Sequence, residues 1–218
     1  MKILVRTIAR VFLPEKIRHL ILSIIPKFYL INTYIIKNPK FFENLPPIDS
    51  KYLIRQVVKD DLEKLIKFEL ARNPKKAERK IKSRLSSDAW IALCVIDKTN
   101  DIIAYYSWII IKSIPYFEEF GIQLTDGQFL LKDGFCAPDY RHQGLHTRME
   151  QERINYCVRN GAKEIFIQIH DSNEKGKDSV INNGYNLYRQ NYVLSLPAFN
   201  VFREMKSFLK NPFKKIIK

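Results

Sequence analysis

In the stretch CAPDYRHQGLHTRMEQERINYC, Cys136 to Cys157, an arginine (Arg141) and a glycine (Gly144) stand where a helix opens. The strand-like run GQFLLKDGFC precedes them. The leading N–H groups of a helix lack intrahelical partners, and its dipole favours negative charge at that end. Arg141 adds positive charge. Gly144 is one of only 7 glycines, so it asks for a backbone reason: it lets the chain approach a ligand closely and adopt dihedrals that other residues resist. The simplest ligand for such a turn is a pyrophosphate. His146 projects an imidazole at the same turn, either toward that phosphate or outward from the helix. The four histidines (His19, His142, His146, His170) form no metal motif. The three cysteines (Cys94, Cys136, Cys157) lack metal spacing and cannot all pair; they read as reduced thiols of a cytosolic protein. No metal is expected.

The elements that must position this turn are readable on both sides of it. ENLPPIDS reads as a linker. KYLIRQV is a strand, and KDDLEKLIKFELAR a helix with Asp60 or Asp61 near its start. KKAERKIKSRLSS is a second helix. WIALCVID and IIAYYSWIIIK are strands around a KTND turn. The strand ending at Cys136, the helix after Gly144, the strand EIFIQIH, a helix over roughly 177–183 and the strand YNLYRQNYVLSL complete the order β-α-α-β-β-β-α-β-α-β. Three consecutive strands imply antiparallel hairpins, and the strand–helix–strand unit from Phe129 to His170 implies a parallel pair. The expected fold class is α+β with a mixed central sheet flanked by helices.

The charge is uneven. Of the net +14, residues 1–42 carry +7 and residues 199–218 carry +5, which leaves +2 for the 156 residues between. The ends are basic and apolar together. Ile3 to Leu13 reads as an amphipathic helix with Lys2, Arg6 and Arg10 on one stripe, and FNVFREMKSFLK repeats the pattern. The expected organisation is a basic amphipathic helical extension over 1–45, a central domain over 51–196 and a basic amphipathic segment over 199–218. The run from Leu20 to Ile36 is too short, and too interrupted by Pro26 and Lys27, for a spanning helix. No signal peptide stands out. Either the ends pack on the domain with their charges solvated, or they lie in an anionic membrane interface. The second reading makes the protein cytoplasmic and peripheral on the inner face of the membrane. Nucleic acid fits the charge but not the long aliphatic runs.

The segment APDYRHQGLH resembles the acyl-CoA signature of the GNAT superfamily of N-acetyltransferases, Arg/Gln-x-x-Gly-x-Gly/Ala. NEKGKDSVINNGY, Asn173 to Tyr185, is similar to a second family segment of the form NTAAIRLYEKLGF: Asn173 falls on its Asn and Gly184-Tyr185 on its Gly-Phe. The resemblance covers roughly Lys51 to Leu196. It implies a GNAT-like fold and acetyl-CoA as co-substrate. The loop from Arg141 through His142, Gln143, Gly144 and Leu145 to His146 would hold the pyrophosphate. Asn173 would join the donor site, and the strand at Phe135 and Cys136 would orient the thioester through its backbone amides. It also implies transfer to an amine; the membrane placement of the basic ends would suit a small-molecule or lipid-linked acceptor such as an amino sugar. The sequence departs from the family at two points. His146 replaces a small residue, and Val180 stands where many members carry a tyrosine that protonates the CoA thiolate. Ser179 or Tyr188 is the expected substitute, unless water serves or the thiolate leaves unaided. Asp133 is the expected general base, although it precedes Gly134 and also reads as a turn residue; Glu118, Glu119 and Asp126 are rivals. The alternatives are a long-chain acyl donor, or a catalytically silent module that binds CoA, lipid or a protein.

Overall fold

The computed structural model describes residues 27–72, 74, 76–113, 122–196 and 201–205. Eight strands form one sheet: β1 (Lys27–Lys37), β2 (Tyr52–Gln56), β3 (Trp90–Asp97), β4 (Ile102–Ile110), β5 (Gln128–Cys136), β6 (Glu164–His170), β7 (Asn186–Leu196) and β8 (Val201–Met205). Their order is β2-β3-β4-β5-β6-β1-β7-β8. Every neighbouring pair is antiparallel except β5 and β6. Among the described residues four α-helices cover the faces: α1 (Leu62–Arg72), α2 (Ala77–Leu85), α3 (Leu145–Arg159) and α4 (Glu174–Asn182).

The strands at the centre are near-continuous apolar runs because both their faces are covered. Alternation divides them between two cores. Tyr105, Ile109 and Leu131 pack with Leu145, Met149 and Ile154 of α3 and Val180 of α4. Tyr106, Trp108 and Cys94 pack with Leu65 of α1 and Ile81 of α2. Burial raises the Cys94 thiol to about 12, so it is inert at neutral pH. Cys157 is buried as well, and Cys136 is half-buried.

From β2 to β7 the observed order matches the sequence expectation element for element. The ends differ. Lys27–Lys37, expected within the N-terminal helical extension, is a strand inserted between β6 and β7. Its apolar run suits a strand covered on both faces, which periodicity alone does not distinguish from a buried helix. Asn32 fixes it in place: its side chain donates to Asp171 (3.0 Å) and accepts from Gln190 (2.9 Å), which ties β1 to the turn before α4. Val201–Met205, expected within an amphipathic segment, extends the sheet beyond β7. The expected linker lies against α3, where Asn155 bonds both backbone groups of Phe42 and Arg148 donates to the Pro46 carbonyl (2.8 Å). Residues 1–26 and 206–218, with the basic stripes read there, fall outside the described residues. Among the described residues no helix is long and apolar enough to cross a membrane.

Candidate functional site

The parallel pairing of β5 with β6 runs from Gln128 opposite Glu164 only to Leu131 opposite Ile167. Beyond that the strands diverge while β5 stays paired to β4 through Cys136. The divergence has a local cause. Two residues of β5, Asp133 and Gly134, lie opposite one residue of β4, and Asp133 takes φ of 46°. Such an extra residue bends a strand and re-aims its side chains. A cleft of about 890 Å³ opens there, and β5 turns an edge without β6 pairing toward it. Gly134 leaves room in its wall: a Cβ there would strike the Tyr105 hydroxyl and stand 3.5 Å from Arg153 Nη1. Gly134→Ala is therefore expected to cost about 1–3 kcal/mol. Tyr105→Phe in the same chain removes the obstructing oxygen and should recover most of it in urea unfolding. An alanine variant as stable as the parent would mean that the strand has slack.

The turn before α3 closes one end of the cleft. Tyr140 and Arg141 donate to the carbonyls of Ala137 and Pro138. The loop is braced from outside: Tyr140 donates to Asp97 (2.9 Å), and the Tyr52 hydroxyl bonds Gln143 Oε1. His142 and Gly144 both take left-handed backbone, at φ of 62° and 75°. The first intrahelical bond runs from the Arg148 N–H to the Gly144 carbonyl (3.1 Å), leaving the N–H groups of Leu145, His146 and Thr147 ahead of it.

The expected donor-side residues divide by role. Phe135, Cys136, Arg141, His142, His146 and Asn173 line the cleft. Arg141 is exposed and sits 5.8 Å from the Phe135 ring. Gln143 does not line the cleft; its side chain braces the loop, accepting from the Tyr52 hydroxyl and donating to the Asp139 carbonyl. Leu145 is a core residue, and Asn173 caps α4 by accepting the Gly176 N–H (3.1 Å). His146 is half exposed, with Nδ1 3.3 Å from the Tyr105 hydroxyl. Burial outweighs the attraction of Glu150 and lowers the pKa of its imidazole from the usual value.

The expected catalytic residues fare unevenly. Ser179 lines the cleft beside Val180. Tyr188 does not: it is exposed on β7 with its ring against Phe166. The reason is the register shift at Thr33/Tyr34, which makes Tyr188 the extra residue of that strand pair. Asp133 lines the cleft, but its carboxylate is bound by Arg84 (2.7 Å) and Lys80 (3.2 Å). Burial raises its pKa, yet the two cations prevail and hold it far below the usual carboxylate range. A carboxylate held by two cations is a poor proton acceptor, which counts against the expected role as general base. Asp126 stands by the start of β5, at a separate hollow. Glu118 and Glu119 lie outside the described residues.

Sequence reasoning missed several cleft residues. Lys132 reaches across the divergence to Gln168 (2.7 Å), and burial pushes its ammonium down to about 8. His170 ends β6 with Nδ1 2.7 Å from the Ser172 hydroxyl. Alternation along β6 puts His170 and Gln168 on the face of Phe166, opposite α3. Glu150 and Arg153 lie on the α3 wall, buried. They left one legible signal: two charges on the stripe of α3 that otherwise reads Leu145, Met149, Ile154, Cys157. Among the described residues no cluster suits a metal ion.

No protein-family model matches the sequence, and no characterised protein matches it by sequence. Solved structures match in fold. A GCN5-related N-acetyltransferase from Sphaerobacter thermophilus aligns over 83% of this chain and 55% of its own, with 17% identity and a TM-score of 0.57. A tandem GNAT protein from the clavulanic acid biosynthesis pathway aligns over 77% and 53%, with 10% identity and a TM-score of 0.59. The chain thus spans about half the length of each. The aminoglycoside N-acetyltransferase AAC(6′)-Iy, in complex with CoA, aligns over 66% and 95%, with 15% identity and a TM-score of 0.52. The chain has the GNAT fold.

Proposed function

We propose that this protein is an acyl-CoA-dependent N-acyltransferase that moves an acetyl group from acetyl-CoA to a primary amine. The observation that carries the reading is the cleft between β5 and β6, with an exposed N-terminal turn of α3 at one end and an unpaired β5 edge along its wall. The turn at Gly144 suits a pyrophosphate, and Arg141 adds charge beside it. The β5 edge offers backbone groups to orient the thioester and polarise its carbonyl. A donor bound along α3 leaves the opposite face, that of α1 and α2, for the acceptor. The amine must lose a proton to attack the carbonyl. His170 faces that side, its ring oriented by Ser172, and is the base this geometry favours. Ser179, which lines the cleft beside Val180, would protonate the departing thiolate directly or through water.

His170→Gln is expected to lower kcat by about 100-fold with CoA affinity unchanged. Equal kcat would move the base elsewhere. The reading itself is tested by thiol release from acetyl-CoA with a panel of small amines and amino sugars, a choice supported by the aminoglycoside-acetylating neighbour. No release with any amine, from protein that binds CoA, would favour a silent CoA-binding module, the reading that Val180 supports. We further propose that the basic ends hold the enzyme at the inner membrane face, near a lipid-linked acceptor or a longer acyl donor. Residues 1–26 and 206–218 together carry +9 and are apolar as well, which supports this. Failure of the intact protein to float with anionic vesicles would end that part.

A further inference from the structure

On the sheet face that carries α1 and α2, the charges beside the cleft do not balance. Lys80 and Arg84 of α2 are answered by carboxylates: Asp133 pairs with both, and the buried Glu69 pairs with Lys80. Arg72 and Lys132, which line the cleft, are two cations beyond that match, and Asp133 is the one acid lining it outside α3 among the described residues. Four cations thus face two carboxylates. The surplus is within a ligand's reach. Arg72 ends α1, and its side chain is 35% exposed. Its guanidinium lies 4.9 Å from the centre of the Phe135 ring. Its one hydrogen bond among the described residues is long, 3.4 Å from Nη1 to the Tyr106 hydroxyl. The Glu69 oxygen 3.7 Å from that Nη1 already accepts from Tyr106.

Packing explains part of this. The dipole of α1 and the face of Phe135 both favour a cation at the position of Arg72. They leave most of its N–H donors without a protein acceptor among the described residues. Lys132 carries the other surplus charge. It follows Leu131, which packs under α3, so alternation turns it to the opposite face. Its ammonium donates to Gln168 (2.7 Å), and burial, with a smaller push from Arg84, lowers it to about 8 against the pull of Asp133. An anion on this face is attracted by both cations. A guanidinium fork matches the paired oxygens of a carboxylate or a phosphate, so those are the groups it selects. A polycationic amine meets repulsion here instead.

We propose that the acceptor is an amine bearing a carboxylate or phosphate, which Arg72 binds through its guanidinium while Lys132 adds charge. This names the acceptor class of the acyltransferase reading above and rests on it. The test follows thiol release from acetyl-CoA with pairs of acceptors alike in shape and different in charge: glucosamine 6-phosphate beside glucosamine, and α-amino acids beside their carboxamides. In at least one pair kcat/KM should be about 10- to 100-fold higher for the anionic member, as for one charge-assisted hydrogen bond. The pair that shows it tells phosphate from carboxylate. Arg72→Gln should erase the preference, chiefly by raising KM. Arg72→Met, which keeps the stem against Phe135 and loses the charge, serves if the glutamine variant does not fold. Arg72→Lys, which keeps the charge and loses the fork, should retain part of the preference. The positive charge of the chain as a whole attracts anions in every variant, so a full preference in the glutamine or methionine variant would overturn the proposal. Equal or faster turnover of the neutral members by the parent would overturn it too, and would leave the acyltransferase reading standing. If the parent binds CoA and releases thiol with no amine of either kind, the acyltransferase reading fails and takes this proposal with it.

Discussion

Gly144→Glu is expected to weaken CoA binding by at least about 100-fold, while Gly144→Ala keeps most of the affinity. Both variants carry the same backbone penalty, because φ at this position is 75° and an L-residue held there costs roughly 1–2 kcal/mol. Neither is blocked by sterics: a Cβ at Gly144 meets nothing within 4 Å. The difference between them is therefore the carboxylate. A negative charge at a helix N-terminus favours the helix, so glutamate should not lower stability beyond the alanine variant. It does compete for the site that the phosphates need. Two unit charges about 4 Å apart repel by about 4 kcal/mol at an effective dielectric of 20, and salt reduces this at an exposed turn. Calorimetry with CoA, beside thermal unfolding of both variants, separates the terms. Equal CoA affinity in the two variants would place the phosphates elsewhere.

The same turn shows what the sequence makes legible. Gly144 stands at the helix opening the sequence expects, because a helix start needs particular residue types at fixed offsets. Asn173, which caps α4, is legible only through the family resemblance, since the local reading begins that helix near 177. The element order from β2 to β7 was legible for a similar reason: its strands are bounded by turns and its helices carry periodic stripes. What escaped is non-local. Whether Lys27–Lys37 is a strand depends on the gap between β6 and β7 that receives it, and nothing within the segment records that gap. Tyr188 is carried out of the cleft by the extra residue of its strand pair, since one extra residue changes the face that later side chains take. Asp133 does line the cleft, and only the packing of α2 shows that Arg84 and Lys80 hold its carboxylate. Ser179 needed only the phase of α4 and came out in the cleft. Glu150 and Arg153 are the intermediate case: their misfit to the α3 stripe is visible in sequence, but their burial beside the cleft only in the structure.

Asp133 carries the largest stability effect expected of a single side chain here. Its carboxylate holds Arg84 and Lys80 together, Lys80 also pairs with the buried Glu69 (2.9 Å), and Lys132 lies next to it in sequence. Asp133→Asn leaves these cations with one acceptor fewer in a half-buried site. Removing one partner of a buried pair costs about 3–5 kcal/mol, and the exposed fraction of this group puts it near the lower end. The pH dependence carries a distinct signature. The folded carboxyl lies well below its ordinary value of about 3.9, so the unfolded chain binds the proton more readily. The stabilisation is thus fully present above about pH 4 and is lost as pH falls toward the folded value. The asparagine variant has no such group, so its stability should fall less steeply between pH 5 and pH 2. Urea unfolding at pH 7, 5, 3 and 2 measures both the offset and the slopes. Parallel slopes would mean that the Arg84–Asp133–Lys80 contacts are not held in solution. Turnover gives the complementary reading. A brace for β5 should change kcat with the geometry of the cleft but leave the shape of its pH profile, whereas a general base would remove the acid limb of that profile altogether.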